Sequence, residues 1–260
     1  METEKGFAVI TGATSGIGKS FAALLASEGY PLILIGRNET MLFKMMEPLK
    51  KASGKRVLCL TGNLTSTAAV KRLGMQLKKY DISLFVNNAG FGTYGPFLAQ
   101  NMDEVEEMIK VNISSLTRLS HMILTKMKKQ GCGRIINISS LASYMPNPNG
   151  APYAATKAYV RSFSEALHQE LKGSGITVTT LCPGPTNTGF GERSGMGKSR
   201  SFRRLMTADA VAAAGYRGAL AGKRVVIVGK LNKIAAMLAY YAPRKLVLAT
   251  VQWALSDRKF

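Results

Sequence analysis

Tyr153-Ala154-Ala155-Thr156-Lys157 sets a phenol and an ammonium four residues apart, and on a helix two such side chains share a face. Pro152, directly before Tyr153, suits a first helical turn, and Tyr159, Val160, Phe163, Ala166, Leu167 and Leu171 follow at helical spacing. The spacing predicts Tyr153 at the mouth of a helix and Lys157 one turn deeper. A free tyrosine titrates near about 10. A cation held alongside favours the phenolate, lowering that value and making the hydroxyl an acid or base for proton transfer near neutrality. Taken alone, the five residues also fit an ordinary surface helix, so the meaning of the pair depends on the elements that position it.

The first of those elements lies at the other end of the chain. Phe7-Ala8-Val9-Ile10 is a short apolar run, followed by Thr11-Gly12-Ala13-Thr14-Ser15-Gly16-Ile17-Gly18 and then by Phe21, Leu24 and Leu25 at helical spacing. Strand, glycine turn and helix in that order let the backbone approach a pyrophosphate, whose charge is met by free N–H groups at the helix start. The spacing is G-x-x-x-G-x-G and not the commoner G-x-G-x-x-G, and by itself it also fits a plain glycine turn. The next run, Leu32-Ile33-Leu34-Ile35, ends at Gly36-Arg37. A carboxylate there would suit the ribose hydroxyls of NAD, whereas an arginine suits the 2′-phosphate of NADP, so Arg37 favours NADP, with the Ser15 hydroxyl as a further donor to the same phosphate. Leu84 to Gly90, Ile135 to Ser140 and Val178 to Gly184 are three more apolar runs that end in small or polar residues. In an open parallel sheet all five ends converge on one cleft.

At this point the chain resembles a classical short-chain dehydrogenase/reductase along its whole length. Thr11 to Gly18 is similar to that family's T-G-x-x-x-G-x-G turn, Asn87 to Gly90 to its N-N-A-G, and Pro183-Gly184 to its P-G after the sixth strand. The resemblance implies an α/β fold, a single Rossmann-like doubly wound parallel sheet with helices on both faces, and a catalytic set of Asn112, Ser140, Tyr153 and Lys157. Hydride passes between a nicotinamide and a carbonyl while Tyr153 donates a proton, Ser140 bonds the same oxygen, and Lys157 lowers the tyrosine and holds the nicotinamide ribose. Asn112 is expected to hold a water linking Lys157 to solvent, and the neighbouring Ser139 to point to the opposite face. The cofactor residues implied are Gly12, Thr14, Ser15, Gly16, Ile17, Gly18, Arg37, Asn63, Leu64, Asn88, Ala89, Gly90, Tyr153, Lys157, Pro183, Gly184, Thr186 and Thr188. Asn63 stands where the family usually keeps an acid for the adenine amine, and its side-chain oxygen can accept the same bond without charge. The expected cofactor is NADP(H), the substrate a lipophilic ketone or secondary alcohol of fatty-acyl or steroid-like kind beside Phe91, Tyr94, Met145, Pro146 and Phe190, and the assembly a homodimer or homotetramer. The alternative is a non-catalytic NADP-binding or membrane-surface scaffold that uses the basic parts of the chain.

Composition agrees with one domain over residues 1–260. The chain has 260 residues and no internal repeat, linker or low-complexity tract. Cys59, Cys132 and Cys182 lack metal-ligand spacing, and an odd cysteine count fits reduced thiols in a cytoplasmic setting. His121 and His168 read as helix-surface or packed histidines. Phe7 to Ile10 is too short for a signal peptide or a membrane span. The net charge is +20, with +11 of it from Glu192 onward. Arg193, Lys198, Arg200, Arg203 and Arg204 fall in a Gly- and Ser-rich segment, 189–206, expected to be a mobile substrate lid. They fit either an anionic substrate or a solvated loop. The extension 231–260 reads as two basic amphipathic helices broken at Pro243, suited to an anionic membrane surface, to covering the pocket, or to a second subunit. Nucleic acid is not expected, since no recognisable module or aromatic interleaving accompanies the charge.

Overall fold

The runs carry apolar residues at consecutive positions and not at alternate ones, so as strands they need cover on both faces. In the computed structural model, which describes residues 5–203 and 205–256, they have it. The five runs form β1 (Phe7–Thr11), β2 (Leu32–Gly36), β4 (Ile82–Asn87), β5 (Gly133–Ile138) and β6 (Ile176–Cys182), and β3 (Val57–Thr61) is a further strand beside β2. Two short strands, β7 (Thr186–Asn187) and β8 (Met206–Thr207), pair with each other, and β9 (Val225–Ile227) joins the main sheet. Its order is β3-β2-β1-β4-β5-β6-β9, parallel throughout. The order reverses between β1 and β4, which opens a crevice beyond the carboxyl ends.

The helices are α1 (Gly16–Ser27), α2 (Glu39–Ser53), α3 (Thr67–Leu77), α4 (Met102–Ile109), α5 (Leu116–Gln130), α6 (Ala151–Glu170), α7 (Phe190–Ser194), α8 (Ala208–Leu220), α9 (Lys230–Tyr241) and α10 (Arg244–Leu255). Alternate strand residues face opposite layers. Ala8, Ile10, Leu32 and Leu34 pack on Phe21 and Leu25 of α1, Leu42 of α2 and Val211 of α8. Val9, Ile33 and Ile35 pack instead on Val70 and Leu73 of α3 and Leu119 and Ile123 of α5. Gly215 of α8 lets that helix sit against Phe21, since a Cβ there would lie 2.9 Å from the ring and 2.6 Å from Leu181. Phe21 is fully buried, and its truncation to Ala would cost about 3–5 kcal/mol.

Two regions bear on the earlier expectations. The Gly- and Ser-rich lid folds into α7, two 3₁₀ turns at Met196–Lys198 and Arg200–Arg203, and β8; Arg204 lies outside the described residues. The extension forms α9 and α10, separated at Pro243, and residues 257–260 lie outside the described part. One face of α10, carrying Val247, Val251 and Leu255, packs with Met196 and Ala239 against Tyr144, Phe190 and Phe202. Of the three uses open to the extension, covering the pocket is therefore built into the fold. No helix of the described residues is long and apolar enough to cross a membrane.

Candidate active site

The glycine turn is held from below by a clamp. Thr11, the last residue of β1, accepts through Oγ1 from the backbone N–H groups of Asn88 and Ala89, each at 2.9 Å, and the Asn88 amide donates to the Thr11 carbonyl at 2.9 Å and the Gly12 carbonyl at 3.3 Å. Gly12 has φ +65°, and a Cβ there would come within 3.0 Å of Ala89 and Asn88. Gly16 has φ +52°, and a Cβ would meet Thr188 at 2.9 Å. Ser15 precedes α1 without capping it, and the first turn of α1 holds no acid. The free N–H groups and positive helix end therefore remain for an anion. A diphosphate fits this cradle, because backbone can approach where side chains would collide.

Tyr153 and Lys157 have the helical placement that their spacing predicts. Tyr153 and Lys157 are on the first turns of α6, both buried. Lys157 donates from Nζ to the Ile138 carbonyl at 3.0 Å, and that nitrogen lies 5.9 Å from the Tyr153 ring centroid. Ser140 accepts from the Ala142 N–H at 3.1 Å and is hydrogen-bonded to Tyr153. Ser139 turns away, donating to the Lys157 carbonyl at 2.7 Å. The expected lowering of the phenol is reversed in the chain by itself. Burial pushes Tyr153 up to about 12, with the Ser140 hydrogen bond pulling the other way. The same burial pushes Lys157 down to about 8. Tyr153 packs against Phe190 at 5.2 Å between ring centroids, and loss of water disfavours the charged form of each group.

Asn112 lies behind the loop that follows β4, close to α6. It is fully buried in a one-turn π segment, Lys110–Ser115, between α4 and α5. Its amide donates to the Phe91 carbonyl at 2.9 Å and Thr156 Oγ1 at 3.0 Å, while its oxygen accepts from the Phe91 N–H at 3.2 Å. Both donors are committed, so the side chain fixes the loop after β4 to α6, while its oxygen keeps one further lone pair. Wide turns of this kind recur at functional sites.

One cavity of about 610 Å³ connects these parts, within the range of ligand sites. Gly12, Thr14, Ser15, Gly16, Ile17, Arg37, Asn63, Leu64, Asn88, Ala89, Gly90, Ser140, Tyr153, Lys157, Pro183, Gly184, Thr186 and Thr188 all line it. Gly18 and Asn112 do not. Gly18 is structural, since a Cβ there would strike the Gly12 carbonyl. Arg37 is exposed at the end of β2, with Glu39 opening α2 beside it but outside the cavity. Asn63 accepts from the Thr65 N–H at 3.0 Å, which leaves its oxygen one further lone pair. The hydroxyls of Thr186 and Thr188 donate within their own loop, to the Gly184 and Thr186 carbonyls.

At the far end, Phe91, Met145 and Phe190 line the cavity as expected. Tyr94 and Pro146 do not; the Tyr94 hydroxyl donates to the Leu255 carbonyl at 2.6 Å and ties α10 down. Further wall comes from Met196 and Phe202 of the lid and from Val251, Ala254 and Leu255 of the extension, the segments expected to close over a substrate or to cover the pocket. Of the basic lid residues, Arg193 lines the cavity. Arg200 stacks on Trp253 at 5.2 Å and bonds Ser256, and the side chains of Lys198 and Arg203 are outside the description.

Comparison with known proteins finds relatives by sequence and by fold. A family model described as short chain dehydrogenase matches residues 6–198. An uncharacterized oxidoreductase of Staphylococcus epidermidis is 31% identical over 208 residues, covering 78% of this chain and 88% of that protein. The very-long-chain 3-oxoacyl-CoA reductase of Homo sapiens is 33% identical over 181 residues, 68% of this chain but 58% of the longer protein. A short-chain dehydrogenase from Sphingobium yanoikuyae, solved in complex with NADPH, has a TM-score of 0.81 at 31% identity, covering 89% of this chain and 91% of that one.

Proposed function

The chain belongs to the short-chain dehydrogenase family of oxidoreductases, and from that premise we propose that it reduces a lipophilic ketone, fatty-acyl or steroid-like, with NADPH. The observation that carries this reading is the continuity of the cavity, from Arg37 beside the glycine turn, past Tyr153, to the apolar wall of Phe190, Met196 and Val251. A nicotinamide cofactor, when bound, supplies the hydride. The chain supplies the proton and the geometry. Tyr153, with its phenol pushed up to about 12, is protonated at neutral pH and ready to donate to the oxygen of a carbonyl as it becomes an alkoxide. Ser140 Oγ, bonded to the same phenol, steadies that oxygen. The Lys157 ammonium then offsets the phenolate left behind. One hydride and one proton convert the carbonyl to a secondary alcohol, and the reverse sequence oxidises it.

Arg37 favours NADP because its planar fork matches a 2′-phosphate and no acid replaces it at the end of β2. The reductase and NADPH named for two of the similar proteins support the same choice. The expected homo-oligomer we place on the outer face of α5 and α6, along an apolar groove lined by His121, Leu124, Phe163 and Leu167. The test is NADPH consumption with 3-ketoacyl thioesters, ketosteroids and small diketones, with NADH and Tyr153→Phe run alongside. Turnover on one apolar class with NADPH, lost in the variant, is the expected result. Tight NADPH binding without turnover of any class would overturn the substrate assignment.

A further inference from the structure

The helices that wall the cavity have a second face. Ala235 of α9 and Val251, Ala254 and Leu255 of α10 line the cavity, while Leu231, Ile234, Leu238 and Tyr241, spaced three or four apart on α9, are 72, 49, 57 and 79% exposed. Leu246 and Trp253, two turns apart on α10, are each 62% exposed. Exposed apolar residues grouped on two adjacent helices mark an interaction surface. Lys230, Lys233, Arg244 and Lys245 stand among them, all exposed. Between Asp209 and Asp257 the sequence has seven Lys or Arg and no Asp or Glu.

We propose that this outer face of α9 and α10 docks on a bilayer containing anionic lipid. The charges select the partner. A second copy of the chain would bring like charges together with no acid on either face to offset them. Nucleic acid would meet the charges but give Leu231 and Leu238 no dry environment. An anionic bilayer satisfies both halves, with headgroups for the ammonium and guanidinium groups, acyl chains for the leucines, and the interfacial depth that Tyr241 and Trp253 suit. The face is fixed to the body by the Tyr94 bond to Leu255 and by Arg200, which stacks on Trp253 and bonds Ser256. Docking there sets the apolar end of the cavity next to the membrane. The inference stands apart from the reductase reading, since binding needs no turnover.

The test is flotation of the full chain with vesicles of phosphatidylcholine alone or mixed with phosphatidylglycerol, without substrate. Trp253 is the one tryptophan, so its emission reports insertion directly. The expected result is binding to the mixed vesicles, weakened by salt, with a blue shift of Trp253. Leu231→Glu with Leu238→Glu should weaken binding by about tenfold or more, and Lys233→Gln with Lys245→Gln should reduce the preference for phosphatidylglycerol. Unchanged NADPH affinity in both variants verifies their fold. Binding that the leucine variant retains without a Trp253 shift would reduce the effect to bulk charge and overturn the proposal. So would absence of binding to either vesicle, or a dimer that the leucine variant dissolves while vesicles leave the chain in solution.

Discussion

Tyr153 and Lys157 are each disfavoured in their charged forms, and that fixes how both should respond to substitution and to pH. Tyr153→Phe keeps the ring against Phe190 and removes only the proton, so turnover should fall by about 10²–10⁴-fold while NADPH affinity stays the same, as equilibrium titration would show. Lys157 provides a stability readout. Its value in the folded chain is about 8 against an ordinary 10.5, so between those limits the unfolded chain holds more protons. Stability then rises with pH through that window, and the contribution is lost as pH falls through about 8. Tyr153 works in the opposite sense, its phenol remaining protonated to about 12 when folded against an ordinary 10, so its contribution is complete below about 10 and is lost on rising toward 12. Between pH 8 and 10 the Lys157 slope acts without the tyrosine. Urea midpoints across that range should climb more steeply for the wild type than for Lys157→Met, and parallel curves would contradict the burial argument.

The glycine turn depends on a threonine that offers no obvious chemistry. Thr11 Oγ1 is the acceptor for two backbone N–H groups at the end of β4, so Thr11→Val keeps the shape of the strand end and strands both donors. An unpaired buried donor costs about 1–3 kcal/mol, and here it also frees the Asn88 to Gly90 wall of the cofactor cradle. Thermal unfolding should register the loss and NADPH affinity should fall with it, whereas loss of stability alone would mean the cradle keeps its shape without the clamp. The turn itself was legible from the sequence because strand, glycines and helix are contiguous and each follows a local rule. Apolar strand ends at Asn87, Ser140 and Pro183 were legible as convergent for the same reason, once a parallel sheet was assumed. The hydrogen bonds of Asn112 were not, because a single π turn inserted between α4 and α5 leaves the apolar spacing almost undisturbed, and nothing local reveals that its amide donates to Phe91 and Thr156. The sign of the tyrosine shift was hidden too: the pairing of Tyr153 with Lys157 is a matter of spacing, but the water excluded by Phe190 comes from a distant segment. α10 showed its amphipathic spacing without showing which surface Val251 would meet.

Across the whole molecule the cleft divides into two ends with different neighbours. The phosphate end is made by β1, β2 and β4 and by the layers of the main sheet, and no residue of α10 belongs to either core cluster beside that sheet. The apolar end, where the substrate is proposed to lie, is walled by Val251, Ala254 and Leu255 of α10. A change on the inner face of α10 should therefore alter substrate fit without reaching the cofactor. Val251→Trp adds bulk to the cavity wall at a position 8% exposed, and the local strain should cost about 1–3 kcal/mol, with the sheet left intact. NADPH affinity should match the wild type, while KM for 3-ketoacyl thioesters rises with acyl length, because longer chains reach further along the α10 wall. Steady-state kinetics over a series of chain lengths, with NADPH titrated separately, would distinguish this from a general loss. If NADPH binding fell in step with substrate, the two ends would be one mechanical unit, and α10 would be a clamp on the cofactor as well as a wall for the substrate.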